Sequence, residues 1–116
     1  MEYTLERDGE MMVARLQGRL AQGSYGACFK RIHAEAQEGG VTAIVIELSG
    51  IEYISSAGLA AIIRLQHEWQ GPQRKFCLAG ASPLAARLFE SVELSRVVPI
   101  HNTLEEARSY VTGKPS

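Results

Sequence analysis

The 116-residue chain is 46% hydrophobic and 22% charged, which suits one globular domain around a single core and leaves too little for a second. A net charge of −1 at pH 7 and a pI near 6.3 argue against a nucleic-acid or anionic-membrane footprint, which needs clustered Lys and Arg; Lys30-Arg31 and Arg74-Lys75 are only pairs. No apolar run approaches the roughly 20 residues that cross a bilayer, and Met1 to Glu10 has neither a basic start nor an apolar h-region, so a cytoplasmic protein without membrane insertion is expected.

In chain order, Tyr3 to Arg7 and Glu10 to Gln17 read as two strands around Asp8-Gly9, a short-range hairpin signal that starts the sheet antiparallel. Gly18 to Gly23 reads as a loop. Tyr25, Phe29, Ile32 and Ala36 then make a helical stripe that stops at Gly39-Gly40. Val41 to Ile46 is β-branched and almost wholly apolar, as befits a central strand covered on both faces. Strand, helix and strand in this order favour a right-handed crossover between parallel strands.

Glu47 to Gly50 reads as a polar turn, followed by a short apolar recovery at Ile51, Tyr53 and Ile54. From Leu59 the pattern turns helical, because Leu59, Ile62, Ile63 and Gln66, with Leu65 and Trp69 beside them, recur at three- and four-residue steps. Period two thus gives way to period 3.6 at Ser55-Ser56, and serine is a preferred N-cap. Gly58 costs a helix about 1 kcal/mol against Ala, so it serves close packing or close approach by another molecule.

Gly71-Pro72 breaks that helix, and Lys75 to Ala79 is the next strand. Ser82-Pro83 starts a helix whose apolar face is Leu84, Ala85, Leu88 and Phe89. Val97 to Ile100 reads as an edge strand, since Pro99 cannot donate to a ladder. Thr103 and Glu106 form a capping box for a last helix with Leu104, Ala107 and Val111 inward. The expectation is a single α/β domain over residues 1–111, a mixed sheet of about five strands packed against about four helices, with a flexible tail at 112–116.

Catalytic chemistry is hard to find in this chain. His33, His67 and His101 are scattered without metal-ligand spacing, and Cys28 and Cys77 suit neither a metal knuckle nor a redox pair, so buried free thiols are expected. There is no G-x-S-x-G elbow, no phosphate-binding G-x-x-x-x-G-K-[ST] loop and no dinucleotide fingerprint, and no cofactor or metal is implied. What remains is a hydroxyl-bearing knuckle at a helix N-terminus, where unpaired N–H groups and the macrodipole favour an added anion such as phosphate. A phosphoserine there would bring about −1.5 to −2 charges without unfolding the helix. Alternatively, Ser55 and Ser56 are only caps.

The run Ile46-Glu47-Leu48-Ser49-Gly50-Ile51-Glu52-Tyr53-Ile54-Ser55-Ser56-Ala57-Gly58-Leu59 resembles the signature of the STAS family of anti-sigma factor antagonists, in which an acidic-x-Ser turn precedes an Asp-Ser-Ser-Gly-Leu or Ser-Ser-Ala-Gly-Leu helix start. The likeness extends more weakly over about the whole chain and includes the Gly18-Arg19-Leu20 step. Carried over position by position, the family's regulatory phosphoserine falls on Ser56, with Ser55 as second choice. The residue that is often Asp falls on Ser55, the second Ser of the commoner form on Ala57, and the strand-end acid on Glu47.

The resemblance implies a non-enzymatic partner switch. The unmodified antagonist binds an anti-sigma factor, typically a serine kinase of GHKL-type fold; phosphorylation by that kinase ends the binding, and a PP2C-type phosphatase restores it. The expected partner surface comprises Glu47, Ser49, Ser55, Ser56, Ala57, Gly58, Leu59 and the outward Arg64. A constitutive STAS subunit of a larger assembly, such as a lipid-transport ABC system or a stressosome-like particle, and a small anion or nucleotide sensor are the alternatives. A monomer or weak dimer is expected.

Overall fold

The six successive residues Ala43 to Leu48 are all buried, and they place the strand that contains them at the centre of the sheet. The structure, a computed structural model, describes residues 2–20 and 25–113. Five strands run in the order β1-β2-β3-β4-β5. β1 (Glu2–Asp8) and β2 (Met11–Leu20) form the antiparallel hairpin; β3 (Ala43–Ile54), β4 (Lys75–Ala79) and β5 (Ile100–His101) add in parallel. Four helices alternate with them: α1 (Tyr25–Glu38), α2 (Ser56–Glu68), α3 (Pro83–Ser91) and α4 (Leu104–Thr112).

Strand alternation sorts the apolar side chains into two layers. Leu16, Ile44, Ile46, Leu48, Phe76 and Leu78 join Ile32 of α1, Ile62 and Leu65 of α2 and Phe89 of α3 in the larger core. Met11, Val13, Ala43, Val45, Cys77 and Ala79 face the other way, onto Ala107 of α4, with Leu104 and Val111 at its margins. α4 is held at both ends. Thr103 Oγ1 accepts from Glu106 N at 3.1 Å, and Lys75 Nζ donates to the terminal carbonyls of Tyr110 and Val111 at 3.2 and 3.3 Å.

The structure corrects several boundaries. Glu47 to Gly50 is not a turn but the middle of β3, which continues to Ile54 because β2 pairs with it beyond the apolar run, Gln17 with Gly50 and Leu20 with Ile54. Two register shifts in the β2–β3 pairing, each with an extra residue on β3, accompany this extension. For the same reason Gly18 to Leu20 are strand rather than loop; residues 21–24, the rest of that expected loop, and the Tyr25 side chain lie outside the described residues. Val97 to Pro99 are not strand: a 3₁₀ turn at Leu94–Arg96 comes first, and β5 is only Ile100–His101. Leu84 does not join the core but is 64% exposed. The Glu106 carboxylate accepts from Asn102 N at 3.0 Å, one residue before the position of a standard capping box. α4 reaches Thr112 and ends at Gly113 with φ 73°; residues 114–116 of the expected tail lie outside the described residues.

Cys28 and Cys77 are free and buried. Burial disfavours the thiolate and pushes Cys28 up to about 11 and Cys77 up to about 12 from an ordinary value of 9.0. In the unfolded chain these thiols lose their protons first, so their contribution to stability is intact below pH 9 and is lost as the pH rises from 9 towards 12. Urea denaturation at a series of pH values should therefore show the parent losing stability faster than Cys77→Ala above about pH 9; parallel curves would contradict this assignment.

Candidate functional site

The end of β3 and the start of α2 are joined through one carbonyl of the neighbouring strand. Ser55 N donates to Leu20 O at 2.9 Å and Ser55 Oγ donates to the same oxygen at 3.4 Å. Ser55 is the N-cap, with extended backbone (φ −84°, ψ 167°), and its Oγ also accepts from Gly58 N at 3.0 Å. The sequence left both serines as possible caps; the structure gives the cap to Ser55. A Cβ on Gly58 would stand 2.3 Å from Leu20 O, so this glycine lets the first turn of α2 press against the end of β2.

Ser56 is the first residue of α2 and is exposed, and its side chain makes no hydrogen bond among the described residues. The helix N-terminus next to it carries a partial positive charge that favours an anion on this hydroxyl. Ala57 is half-buried, Leu59 is buried in the core, and Arg64 is exposed two turns along α2.

Glu47 and Ser49 form a separate group. Glu47 is only 8% exposed; its Oε1 accepts from Ser49 N at 3.3 Å and from Ser49 Oγ at 3.0 Å. Its other oxygen lies against Gly80, where a Cβ would come within 2.7 Å of it. Across the sheet Arg15 is paired with Glu47 in register and bonds Glu6 at 2.9 Å. No hydrogen bond among the described residues links the Glu47 group to Ser55 or Ser56. Of the residues expected at the partner surface, Ser49, Ser56 and Arg64 are exposed, whereas Glu47, Gly58 and Leu59 lie beneath it.

Sequence reasoning missed the margin of the knuckle. Ile51 to Ile54 and α3 enclose an apolar groove of about 180 Å³ between Tyr53, Leu84 and Leu88. Its signal was the four-residue step Leu84, Leu88, Val92, in which Leu84 and Val92 are exposed while Leu88 is half-buried against the core. Arg19, opposite Tyr53 in the β2–β3 register, lies with its guanidinium carbon 4.5 Å from the Tyr53 ring centroid. The histidines are elsewhere: His33 stands edge-on to Trp69 and His101 is tilted against Tyr110. Among the described residues no cluster of His, Cys, Asp and Glu could hold a metal ion, and no helix is long and apolar enough to cross a membrane.

These roles separate under mutation. Ser55→Ala should cost about 1 kcal/mol through loss of the cap, while Ser56→Ala stays within about 0.5 kcal/mol of the parent in urea denaturation. Gly58→Ala gains helix propensity, worth about 1 kcal/mol, but drives a methyl into a backbone carbonyl already holding Ser55, so a net loss of about 1–2 kcal/mol is expected in the same measurement.

Comparison with known proteins agrees with the fold. BtrV of Bordetella bronchiseptica, named as an anti-sigma factor antagonist, is 25% identical over 107 residues, covering 92% of this chain and 91% of its own. The crystal structure of an anti-sigma factor antagonist from Mycobacterium paratuberculosis superposes with a TM-score of 0.84 at 23% identity, over 96% of this chain and 93% of that one. The Bacillus cell fate determinant SpoIIAA in its phosphorylated form gives 0.71 at 23% identity, over 95% and 99%. The STAS domain family matches residues 2–107, nearly the whole sequence, and the chain belongs to that family.

Proposed function

We propose that this protein is an anti-sigma factor antagonist that works as a phosphorylation-controlled partner switch, with Ser56 as the acceptor. The observation that carries this reading is the division of labour at the knuckle: Ser55 Oγ is engaged by Leu20 O and Gly58 N, whereas Ser56 is exposed and unengaged one residue later. Similarity to proteins named as anti-sigma factor antagonists, one of them solved in phosphorylated form, supports it.

In this scheme the unmodified protein binds an anti-sigma factor that is also a serine kinase of GHKL-type fold. That kinase transfers the γ-phosphoryl group of ATP to Ser56 Oγ, ADP leaves, and the hydroxyl proton is released. A PP2C-type phosphatase hydrolyses the ester and restores binding. The protein itself supplies no catalytic group. Ser56, Ala57, Ser49 and Arg64 form the contact surface, supported from beneath by Glu47, Ser55, Gly58 and Leu59.

The energetics are undemanding. A 100-fold loss of affinity is about 2.7 kcal/mol, within reach of a dianion placed in a desolvated interface. Site-resolved phosphopeptide mass spectrometry on the protein from its native cells should find phosphate on Ser56, and Ser56→Asp should bind the kinase about 100-fold more weakly than Ser56→Ala. Phosphate on Ser55 alone, or equal affinity of the two variants, would overturn the assignment.

A further inference from the structure

We infer that two copies of this protein pair antiparallel along the open edge of β1, Thr4 against Thr4, and so join their sheets into one. The inference is independent of the role of Ser56. β1 is the first strand in the sheet order and pairs only with β2, so its outer backbone groups have no partner among the described residues. Two devices that close such an edge are missing: the register with β2 runs from Glu2 to Asp8 without a bulge, and β1 contains no proline. Two of its acidic residues are already committed, Glu6 to Arg15 at 2.9 Å and Asp8 to Arg108 at 2.6 Å.

The sequence of this edge selects a second copy as its occupant. Glu2-Tyr3-Thr4-Leu5-Glu6 has nearly the same character read in either direction, so a two-fold axis at Thr4 sets Tyr3 against Leu5 of the second copy and Leu5 against its Tyr3. Tyr3 and Leu5 pack on the margin of the larger core and line an open groove of about 410 Å³ with Arg31 and Glu35 of α1. The added strand fills this groove with an apolar pair on each side of the axis. Because Arg31 and Glu35, 3.6 Å apart within one copy, border the same stretch of β1, the two-fold turns each Arg31 towards Glu35 of the other copy. On the opposite face Glu2, Thr4, Arg15 and Gln17 border a second groove of about 350 Å³. There Thr4 meets Thr4, a favourable cross-strand pair, whereas Glu2 meets Glu6 and keeps the association weak.

Strand directions decide what this pairing does to the knuckle. β2 and β3 both run opposite to β1, and β1 of the second copy is reversed, so the two β3 strands point in opposite directions, each two strands in from the joint. The Ser56 knuckles therefore stand at opposite ends of the shared sheet, and pairing leaves both open.

The test is analytical ultracentrifugation of the full chain over about 10 μM to 1 mM, the range in which a small interface saturates. The mass of the parent should rise from 12.7 kDa towards twice that value. Two exposed substitutions should move the midpoint in opposite directions. Glu2→Lys lowers it about tenfold by setting lysine opposite Glu6 at both ends of the pairing, and Thr4→Glu raises it about as much by placing like charges at the axis. Oxidation should link Thr4→Cys into a covalent dimer, because the paired Cα atoms lie about 5 Å apart, but not Glu6→Cys, whose two copies stand about 14 Å apart. The native thiols, Cys28 and Cys77, are buried and do not intervene. A monomer throughout the range, shifts of the same sign in the two variants, or equal cross-linking at both positions would overturn the inference.

Discussion

The Leu20 carbonyl is the joint on which the site depends. It accepts from Ser55 N and Ser55 Oγ, and Gly58 packs over it closely enough to exclude any side chain. Three features must coincide for this to occur. β2 has to run ten residues to Leu20, the two register shifts of the β2–β3 pairing have to bring Leu20 beside Ile54, and the third residue of α2 has to be glycine. Each is a backbone requirement. The position of Ser56 is thus set by main-chain geometry, which is rigid, while its own side chain is left free.

That arrangement separates two demands that conflict when one serine must meet both. A capping hydroxyl must stay bonded to an orphan N–H, and a phosphoacceptor must be open to another protein's active site. Here Ser55, half-buried, does the first and Ser56, exposed, is free for the second. The sheet behind them is asymmetric in a way that helps. Three helices cover one face, but α4 alone covers the other, so the upper part of that face carries Arg15, Glu6, Glu47 and Ser49 in polar contacts. Glu47 is buried with its charge directed at Ser49, which makes it part of the scaffold of β3 rather than a free acid beside the knuckle.

Most of the fold was legible because its elements obey strong local rules. The Ser82-Pro83 and Thr103 helix starts and the Lys75 to Ala79 strand follow from apolar periodicity and capping chemistry and appear where those rules place them, whereas the strand expected from Val41 to Ile46 begins at Ala43 and runs on to Ile54. The failures were tertiary. Glu47-Leu48-Ser49-Gly50 has turn composition, yet pairing with β2 holds it extended, and nothing local announces that pairing. Leu84 fits the inward stripe of α3 by spacing, but the helix is anchored through Ala85 and Phe89, which rotates Leu84 out to solvent. At the site, the motif picked out Ser55 and Ser56 together; only the bonds to Leu20 and Gly58 distinguish cap from free hydroxyl. The stack of Arg19 on Tyr53 was invisible because it joins residues 34 apart through strand register.

Under the proposed function, a phosphate on Ser56 would act on binding rather than on folding, and the balance of energies explains why. In the free protein a phosphate on Ser56 stays in water and gains from the helix N-terminus, an effect of about 0.3–1 kcal/mol at an exposed site. It displaces no core side chain, since Ser56 is exposed and Leu59 and Ile62 below it belong to a core formed without it. In a complex the same phosphate must lose water or meet a surface shaped for a hydroxyl, and an unpaired buried charge costs several kcal/mol. The affinity change is the difference between the two states. Because the helix terminus favours the dianion in the free protein, the local structure widens that difference while leaving the fold intact.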